Sequence, residues 1–280
     1  MPKQTHFSLS QPQWMLRLQR AAVLLLLLVG LVLVDSPIYV PAAHAYGPAQ
    51  GFGPNQYPST LPYGQGVYFA PYQTTVYEQP EESAPVVETL AWASNNTSLM
   101  VNSQERQGPV PAKSVFLAFY PSLNIALLPV LGENGNGWAE VVYDLGRNKT
   151  GWVQLSATGK RPLSESTSTP EHFGQYQTWL EFMKLNATRN GIYWLGGVSN
   201  YHQSPRTAPE DKAKMLNLMV NKGMRVRHVR GNWLLVEVRD MGGQMPMGWI
   251  RWRDEEGHLM VFANFARVHQ GAFPALPAGY

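Results

Sequence analysis

The chain has 280 residues, contains no cysteine and carries few charges. Without cysteine it has no disulfide framework, no thiolate nucleophile and no cysteine-ligated zinc or iron–sulfur site. Charged residues make up only 15% of the chain, whereas 25 glycines, 22 prolines and 11% aromatic residues are present. This composition favours short strands joined by many turns over a bundle of helices. The length allows one or two domains.

The chain also lacks a strong excess of charge of either sign. The formal net charge is +3, and Met1–Ala45 carries three basic residues and one acidic residue, so the remainder is nearly neutral. Phosphate binding needs a basic face, so this balance argues against nucleic acid as the main partner.

The N-terminal segment has the order of a signal peptide. Two arginines precede the apolar run Ala21–Val34, and the sequence "AAHA" ends at Ala45. Basic residues, an apolar run and small residues at alternate positions predict cleavage after Ala45 and export to the periplasm or the medium. The alternative is an uncleaved membrane anchor. Spanning a bilayer takes about 20 apolar residues, and this run stops at Asp35.

The next segment, 46–73, is rich in proline, glycine, tyrosine and glutamine and carries almost no charge. Its apolar residues do not recur at a helical or strand spacing. Burying its small apolar surface would not offset the conformational entropy lost on ordering. The sequence therefore predicts a flexible, disordered linker here.

Short β patterns separated by Gly, Asn and Pro fill 74–157 and 191–263, which predicts a mainly β protein with small barrels or sandwiches. Between them, 158–190 reads as a polar linker followed by an amphipathic helix. Thr169 is its predicted N-cap, Pro170 its first residue, and Gly191 its end. The last residues, 264–280, read as a loose tail.

One pattern occurs twice in the chain. "GNGWAEVVYDLGRNKTGWVQL" begins at Gly135, and "RGNWLLVEVRDMGGQMPMGWIRW" begins at Arg230. Upstream, "TTVYEQPEESAPVVETL" is echoed by "VSNYHQSPRTAPEDKAKML". Each copy therefore contains a tyrosine, a proline-containing loop, a Gly/Asn-Trp pair and a Gly-Trp-Val/Ile end. Turn-forming residues between the two tryptophans of each copy predict paired strands.

These motifs resemble the bacterial Src-homology-three (SH3-like) domain family. The resemblance implies two small tandem barrels, at 74–157 and 191–263, joined by a helix. The first copy has a longer middle, so an insertion at about 94–120 is expected. The second copy has a degenerate start, because Asn200 replaces the aliphatic residue that the family places before the tyrosine.

The resemblance also implies a function. Exported barrels of this family bind peptidoglycan or peptide segments of partner proteins, and they need no cofactor. Flat aromatic rings suit such recognition because they offer a large contact area at low entropy cost. Two arginines of "MRVRHVR" share one face of a strand and suit an anionic ligand or the acidic first copy. The expected ligand-binding residues are Tyr77, Trp138, Trp152, Tyr201, Trp233, Trp249, Arg225 and Arg227.

No constellation in the sequence indicates catalysis or a metal. The five histidines after Ala45 show no metal-ligand spacing, "RDEEG" reads as a solvated turn, and there is no G-x-S-x-G motif. We therefore expect a non-enzymatic binding protein of the cell envelope. The alternatives are a structural or assembly module of an envelope complex, in which the barrels dock on each other, and a cell-wall hydrolase. Open aromatic grooves favour binding, and aromatics buried between the barrels favour assembly.

Overall fold

The computed structural model describes residues 51–54, 64–156, 172–217, 224–238 and 246–267. The predicted signal peptide, the predicted N-cap Thr169 and its neighbour Pro170 lie outside these residues. Tyr46–Tyr280 forms one compact unit. The described part is mainly β, as the sequence predicts, and all its strand pairs are antiparallel.

Fifteen strands occur in the described residues. They are β1 (Gly66–Phe69), β2 (Gln73–Tyr77), β3 (Val86–Ala91), β4 (Met100–Ser103), β5 (Gly108–Pro111), β6 (Ala118–Tyr120), β7 (Ile125–Glu133), β8 (Trp138–Asp144), β9 (Lys149–Gln154), β10 (Tyr176–Thr178), β11 (Ile192–Trp194), β12 (Arg225–Arg230), β13 (Trp233–Glu237), β14 (Met247–Arg251) and β15 (Val261–Ala263).

The largest sheet has ten strands in the order β10-β1-β7-β8-β9-β2-β3-β4-β5, with β6 also paired to β7. A second sheet has the order β12-β13-β14, and β11 pairs with β15. An antiparallel bridge between Ile192 and Met224 links β11 to the start of β12. The order β15-β11-β12-β13-β14 in the second half therefore corresponds to β10-β1-β7-β8-β9 in the first half.

The two halves also share the register of their strands. Trp138 lies opposite Gln154 across β8 and β9, and Trp233 lies opposite Arg251 across β13 and β14. Each preceding strand pair has a register shift at the matching place, just after Val130 in β7 and just after Val226 in β12. A bulge bends a strand at one defined position. Because both halves have a bulge at the same position, they share backbone conformation as well as motif residues.

The first half contains an inserted region. Strands β2 to β6 all lie between β1 and β7, and the pair β4–β5 falls within the predicted insertion at about 94–120. The buried carboxylate of Glu88 holds the β4–β5 hairpin. It accepts hydrogen bonds from Ser103 Oγ at 2.5 Å and from the backbone N–H groups of Gln104 and Glu105 at 2.8 and 3.1 Å. A buried carboxylate needs such partners, so the insertion is a fixed part of the sheet.

The helix begins nine residues later than the sequence pattern predicts. Thr178 caps α1 (Trp179–Phe182): its hydroxyl accepts from the Glu181 backbone N–H while the Glu181 side chain accepts from the Thr178 backbone, a capping box. A π-helical segment (Met183–Ala187) and α2 (Thr188–Asn190) continue it. Gly191, at φ +73°, ends it as predicted. Thr178 cannot be an interior helical residue because it belongs to strand β10.

Four other local predictions are corrected. Strand β1 falls inside the predicted disordered linker, and all four of its residues are buried. Within 74–157, where the sequence predicts strands, the stretch 112–117 forms a 3-10 turn (Ala112–Ser114) and no strand until β6. Within 191–263, where strands are also predicted, Asn200–Gln203 is a short helix, α3. Phe265 starts a 3-10 turn and is buried, so the predicted loose tail begins later than 264.

The buried apolar residues form two clusters, and one of them spans both halves. The cluster that we call the shared core contains Val67 and Leu127 from the first half, Trp179 and Phe182 from the helix, and Phe262 from the second half. The Phe182 ring centroid lies 6.4 Å from that of Phe69 and 5.3 Å from that of Phe262. The helix is therefore packed between the repeats, and each repeat covers part of its apolar face.

Candidate functional site

In the first repeat, three predicted aromatic residues lie together on one face of the sheet. Trp152 is opposite both Tyr77 on β2 and Glu140 on β8. Because side chains alternate along a strand, Trp138 shares that face with Glu140. The Tyr77 and Trp138 rings meet edge to face, with centroids 5.3 Å apart. We call this set the first tryptophan face.

This face is turned away from the core. Ala139, Val141 and Val153 alternate with the tryptophans along the same strands and are fully buried in the first-half core. Trp138 is nevertheless only 7% exposed, whereas Tyr77 and Trp152 are half-buried. Trp138 is therefore packed beneath this face, and the accessible ring surface belongs to Trp152 and Tyr77.

The second repeat carries the same arrangement with different neighbours. Trp233 and Trp249 hold the register positions of Trp138 and Trp152, and Trp233 is 8% exposed. The Arg251 guanidinium lies 5.3 Å from the centre of the Trp233 ring. The His228 ring stands edge-on to Trp249 at 6.1 Å. We call this set the second tryptophan face. It is bordered by His228 and by Arg251, which is ion-paired with Asp211 and Glu255, whereas the first face is bordered by Glu140.

Tyr201 is not the structural counterpart of Tyr77. Arg206 pairs with Trp249 as Tyr77 pairs with Trp152, whereas Tyr201 lies in helix α3 with 51% of its surface exposed. A sequence signal for this exists: proline follows Tyr77 by three residues at Pro80 and follows Arg206 by three residues at Pro209. Because Tyr201 in "NYHQSP" precedes Arg206, an alignment that matches tyrosine to tyrosine misses this correspondence.

Arg206 is a residue that sequence reasoning missed. It is 4% exposed, and its Nη1 donates to the backbone carbonyl of Ala213 at 3.3 Å and to that of Asp211. Its guanidinium lies 4.9 Å from the centre of the Tyr201 ring. Carbonyl oxygens and a ring face thus compensate the buried charge, and Arg206 fixes Tyr201 beside the second tryptophan face.

The two arginines of β12 are on the strand face that the sequence predicts, since Val226 between them is buried. Arg227 forms an ion pair with Glu237 of the neighbouring strand β13. The interaction lies within the second repeat, so the charge of Arg227 is partly compensated before any ligand arrives.

One group of potential metal ligands occurs in the described residues: Asp254, Glu256 and His258, whose ligand atoms lie within 4.8 Å of one another. Asp254 already accepts from the backbone N–H of His258 at 2.6 Å, and the His258 ring Nδ1 lies 2.9 Å from the other carboxylate oxygen. These bonds close a tight turn around Gly257, at φ +89°. The "RDEEG" segment is therefore a hydrogen-bonded turn.

The chain matches no known family, curated protein or solved structure in comparisons of its sequence and fold. Within the residues that the structure describes, no helix has the length and apolar character needed to cross a bilayer.

Proposed function

We propose that each repeat is a barrel of the bacterial Src-homology-three type, the first with a long insertion. Three features support this: the shared strand order, the matching register shifts, and closing contacts in the second repeat. There, Met260 N–H donates to Trp252 O at 2.9 Å, and Leu195 N–H donates to Met260 O at 3.0 Å. Those bonds bring β15 between β11 and the end of β14, as closure of a small barrel requires.

On this basis the protein is an exported, non-enzymatic binding protein, released by cleavage after Ala45. Its ligand is cell-wall peptidoglycan or a peptide segment of an envelope protein. The observation that carries this proposal is the equivalent placement of Trp152 and Trp249. Each is a partly exposed ring, on the face away from the core, above a packed tryptophan. Rigid aromatic rings held in this way favour binding of extended polymers.

The two faces differ in charge, so we expect them to bind different parts of the ligand. Glu140 beside Trp152 favours neutral or cationic groups, whereas Arg251 near Trp249 is already ion-paired with Asp211 and Glu255, so the second face offers a partly compensated charge. Because the repeats share a core, the two faces keep a fixed distance and orientation. A polymer bound to one face therefore meets the other at a high effective concentration, which raises its overall affinity.

Sedimentation with purified insoluble peptidoglycan tests the proposal. The chain from Tyr46 to Tyr280 is compared with Trp152→Ala and Trp249→Ala, which remove accessible rings and leave the packed Trp138 and Trp233 in place. Leu185→Ala is the matched control, because it removes an exposed apolar side chain of the helix, outside both tryptophan faces.

We expect wild type and Leu185→Ala to sediment with the wall, and at least one tryptophan variant to lose more than tenfold in affinity. Circular dichroism confirms that each variant is folded. Wild-type protein that stays in the supernatant rules out the wall as ligand and leaves an envelope peptide to be sought.

The alternative, a structural or assembly module, is favoured by a separate observation. Tyr120 of the first half and Phe265 of the second have ring centroids 5.7 Å apart within the shared core, so aromatics are buried between the repeats. An assembly module would keep its envelope partner when both tryptophan faces are altered. If the double variant Trp152→Ala/Trp249→Ala co-purifies with the same partner as the wild type, the result supports the assembly module over the binding protein.

A further inference from the structure

A groove of about 630 Å³ lies between the sheet of the first repeat and the helix, away from both tryptophan faces. Phe69 and Ile125 line it on the sheet side, Asn186 and Arg189 on the helix side, and Phe265 at the end of the second repeat. The volume falls within the roughly 300–1,000 Å³ range typical of small-ligand sites. Both repeats and the helix contribute to this groove, so its shape depends on the whole compact unit.

The apolar part of the groove is ready to accept a hydrophobic side chain. Phe69 and Phe265 are 5% and 2% exposed and belong to the shared core, which fixes their positions. Leu185 lies at the rim and is 59% exposed on a helix whose neighbouring Met183 is fully buried. An exposed leucine next to a fixed aromatic floor offers apolar surface that a ligand can cover.

One polar group of the groove lacks a partner. The Gln177 side chain lines it, and its buried Oε1 accepts no hydrogen bond from the described residues. An unmade hydrogen bond at a buried group costs about 1–3 kcal/mol. A ligand with an N–H donor, such as a peptide group, relieves that cost with a small side-chain movement.

The charge of the groove selects an anion. Arg189 forms no hydrogen bond or ion pair with the other described residues, and no Asp or Glu lines the groove. His172 Nε2 lies 2.9 Å from the backbone carbonyl of Asn124, so that nitrogen carries the proton and donates. A guanidinium binds a carboxylate with two parallel hydrogen bonds, which makes Arg189 the natural anchor.

We propose that this groove binds the free carboxyl terminus of a short extended peptide. Arg189 pairs with the terminal carboxylate, the Gln177 amide accepts a peptide N–H, and the terminal side chain lies against Phe69 and Phe265. A phosphate would use the guanidinium but not the unpartnered amide oxygen or the apolar floor. This site is separate from the tryptophan faces, so the inference does not depend on wall binding.

Four N-acetylated tripeptides ending in Ala, Val, Leu or Phe test the inference, each as the free acid and as the C-terminal amide. Titration calorimetry with the chain from Tyr46 to Tyr280 measures binding. We expect at least one acid to bind with a Kd below about 1 mM, corresponding to about 4 kcal/mol, and its amide to bind at least tenfold more weakly.

Arg189→Gln should remove the preference for the acid, and Gln177→Met should weaken acid and amide alike. Lys184→Gln is the matched control, because it makes the same charge change on the same helix outside the groove and should keep the tenfold preference. Trp152→Ala should bind the acids as wild type does.

The inference is overturned if no acid binds with a Kd below about 1 mM, if acid and amide bind equally to the wild type, or if Arg189→Gln keeps the preference that Lys184→Gln keeps. Thermal unfolding of each variant, followed by circular dichroism, shows that the comparison is made between folded proteins.

Discussion

Tyr120 is a buried tyrosine whose ionisation the fold opposes. Burial in the shared core raises its pKa from 10.0 to about 12, and burial also raises the pKa of Tyr68 on β1. A phenol that is neutral in the folded state but ionised in the unfolded chain links stability to pH. The contribution of Tyr120 is fully present below pH 10 and is lost as the pH rises from 10 towards 12.

We therefore expect the free energy of unfolding to fall above pH 10, with about 1–3 kcal/mol of the loss due to Tyr120. Urea unfolding at pH 9, 10, 11 and 11.5 measures this, with Tyr120→Phe as the variant that cannot ionise. The variant should lose less stability than the wild type over this interval. Parallel curves for the two proteins would contradict the assignment.

At the level of single residues, the sequence locates the repeated tryptophans but does not predict which of them are buried. Trp138 and Trp152 carry the same motif weight, yet one is packed and the other is partly open. The packed tryptophan has a different neighbour in each repeat, Tyr77 against Trp138 and Arg251 over Trp233, and the motif does not specify these neighbours. Arg206 escaped prediction because a buried guanidinium held by carbonyl groups leaves no charged partner in the sequence.

The two Gly-Trp glycines lie at equivalent close contacts in the two repeats. A Cβ at Gly151 would lie 2.5 Å from Val76 Cγ1, and a Cβ at Gly248 would lie 2.6 Å from Pro205 Cβ. Each glycine thus lets β9 or β14 approach the segment that carries Tyr77 or Arg206. The same crowding in both halves explains why the repeat keeps glycine before tryptophan.

Gly151→Ala and Gly248→Ala should each lower the free energy of unfolding by about 1–3 kcal/mol, the usual cost of an overpacked site. Gly132→Ala on β7 is the control, since nothing lies within 4 Å of its Cβ position. Urea unfolding followed by tryptophan fluorescence measures all three. Equal stability for Gly132→Ala and Gly151→Ala would show that the backbone relaxes freely at this contact.

For whole elements, the repeated motif and its turn residues were enough to predict the strand pairs β8–β9 and β13–β14. Short closing strands were not predictable in the same way. Strand β1 has only four residues inside a stretch rich in glycine and proline, and β10 has three residues ahead of a helix. Both form because each pairs with a partner far away in sequence, a stabilisation that local propensity does not report.

The helix packs against both halves, so we expect it to couple the unfolding of one half to that of the other. Phe182 is fully buried and contacts aromatic rings of both repeats and of the helix. Phe182→Ala should cost about 3–5 kcal/mol, because it leaves a cavity that both halves line.

We expect the two repeats to unfold in one cooperative transition and Phe182→Ala to weaken both together. Calorimetry reports the number of transitions, and hydrogen exchange followed by peptide mass spectrometry reports each half separately. Loss of protection in only one half, or two resolved transitions in the wild type, would show that the repeats are energetically independent. Leu185→Ala, an exposed position on the same helix, should leave both halves unchanged.

The position of the closing strands has a consequence for biosynthesis. The first repeat is completed only when β10 is made, and the helix that follows it stays half uncovered until β11 to β15 appear. A chain that emerges N-terminus first, from the ribosome or from an export channel, therefore exposes Trp179 and Phe182 until the second repeat has emerged. Apolar surface that is exposed during folding in this way binds chaperones and promotes aggregation. Shortening the chain from its C-terminal side should thus harm the yield of the first repeat as well as the second.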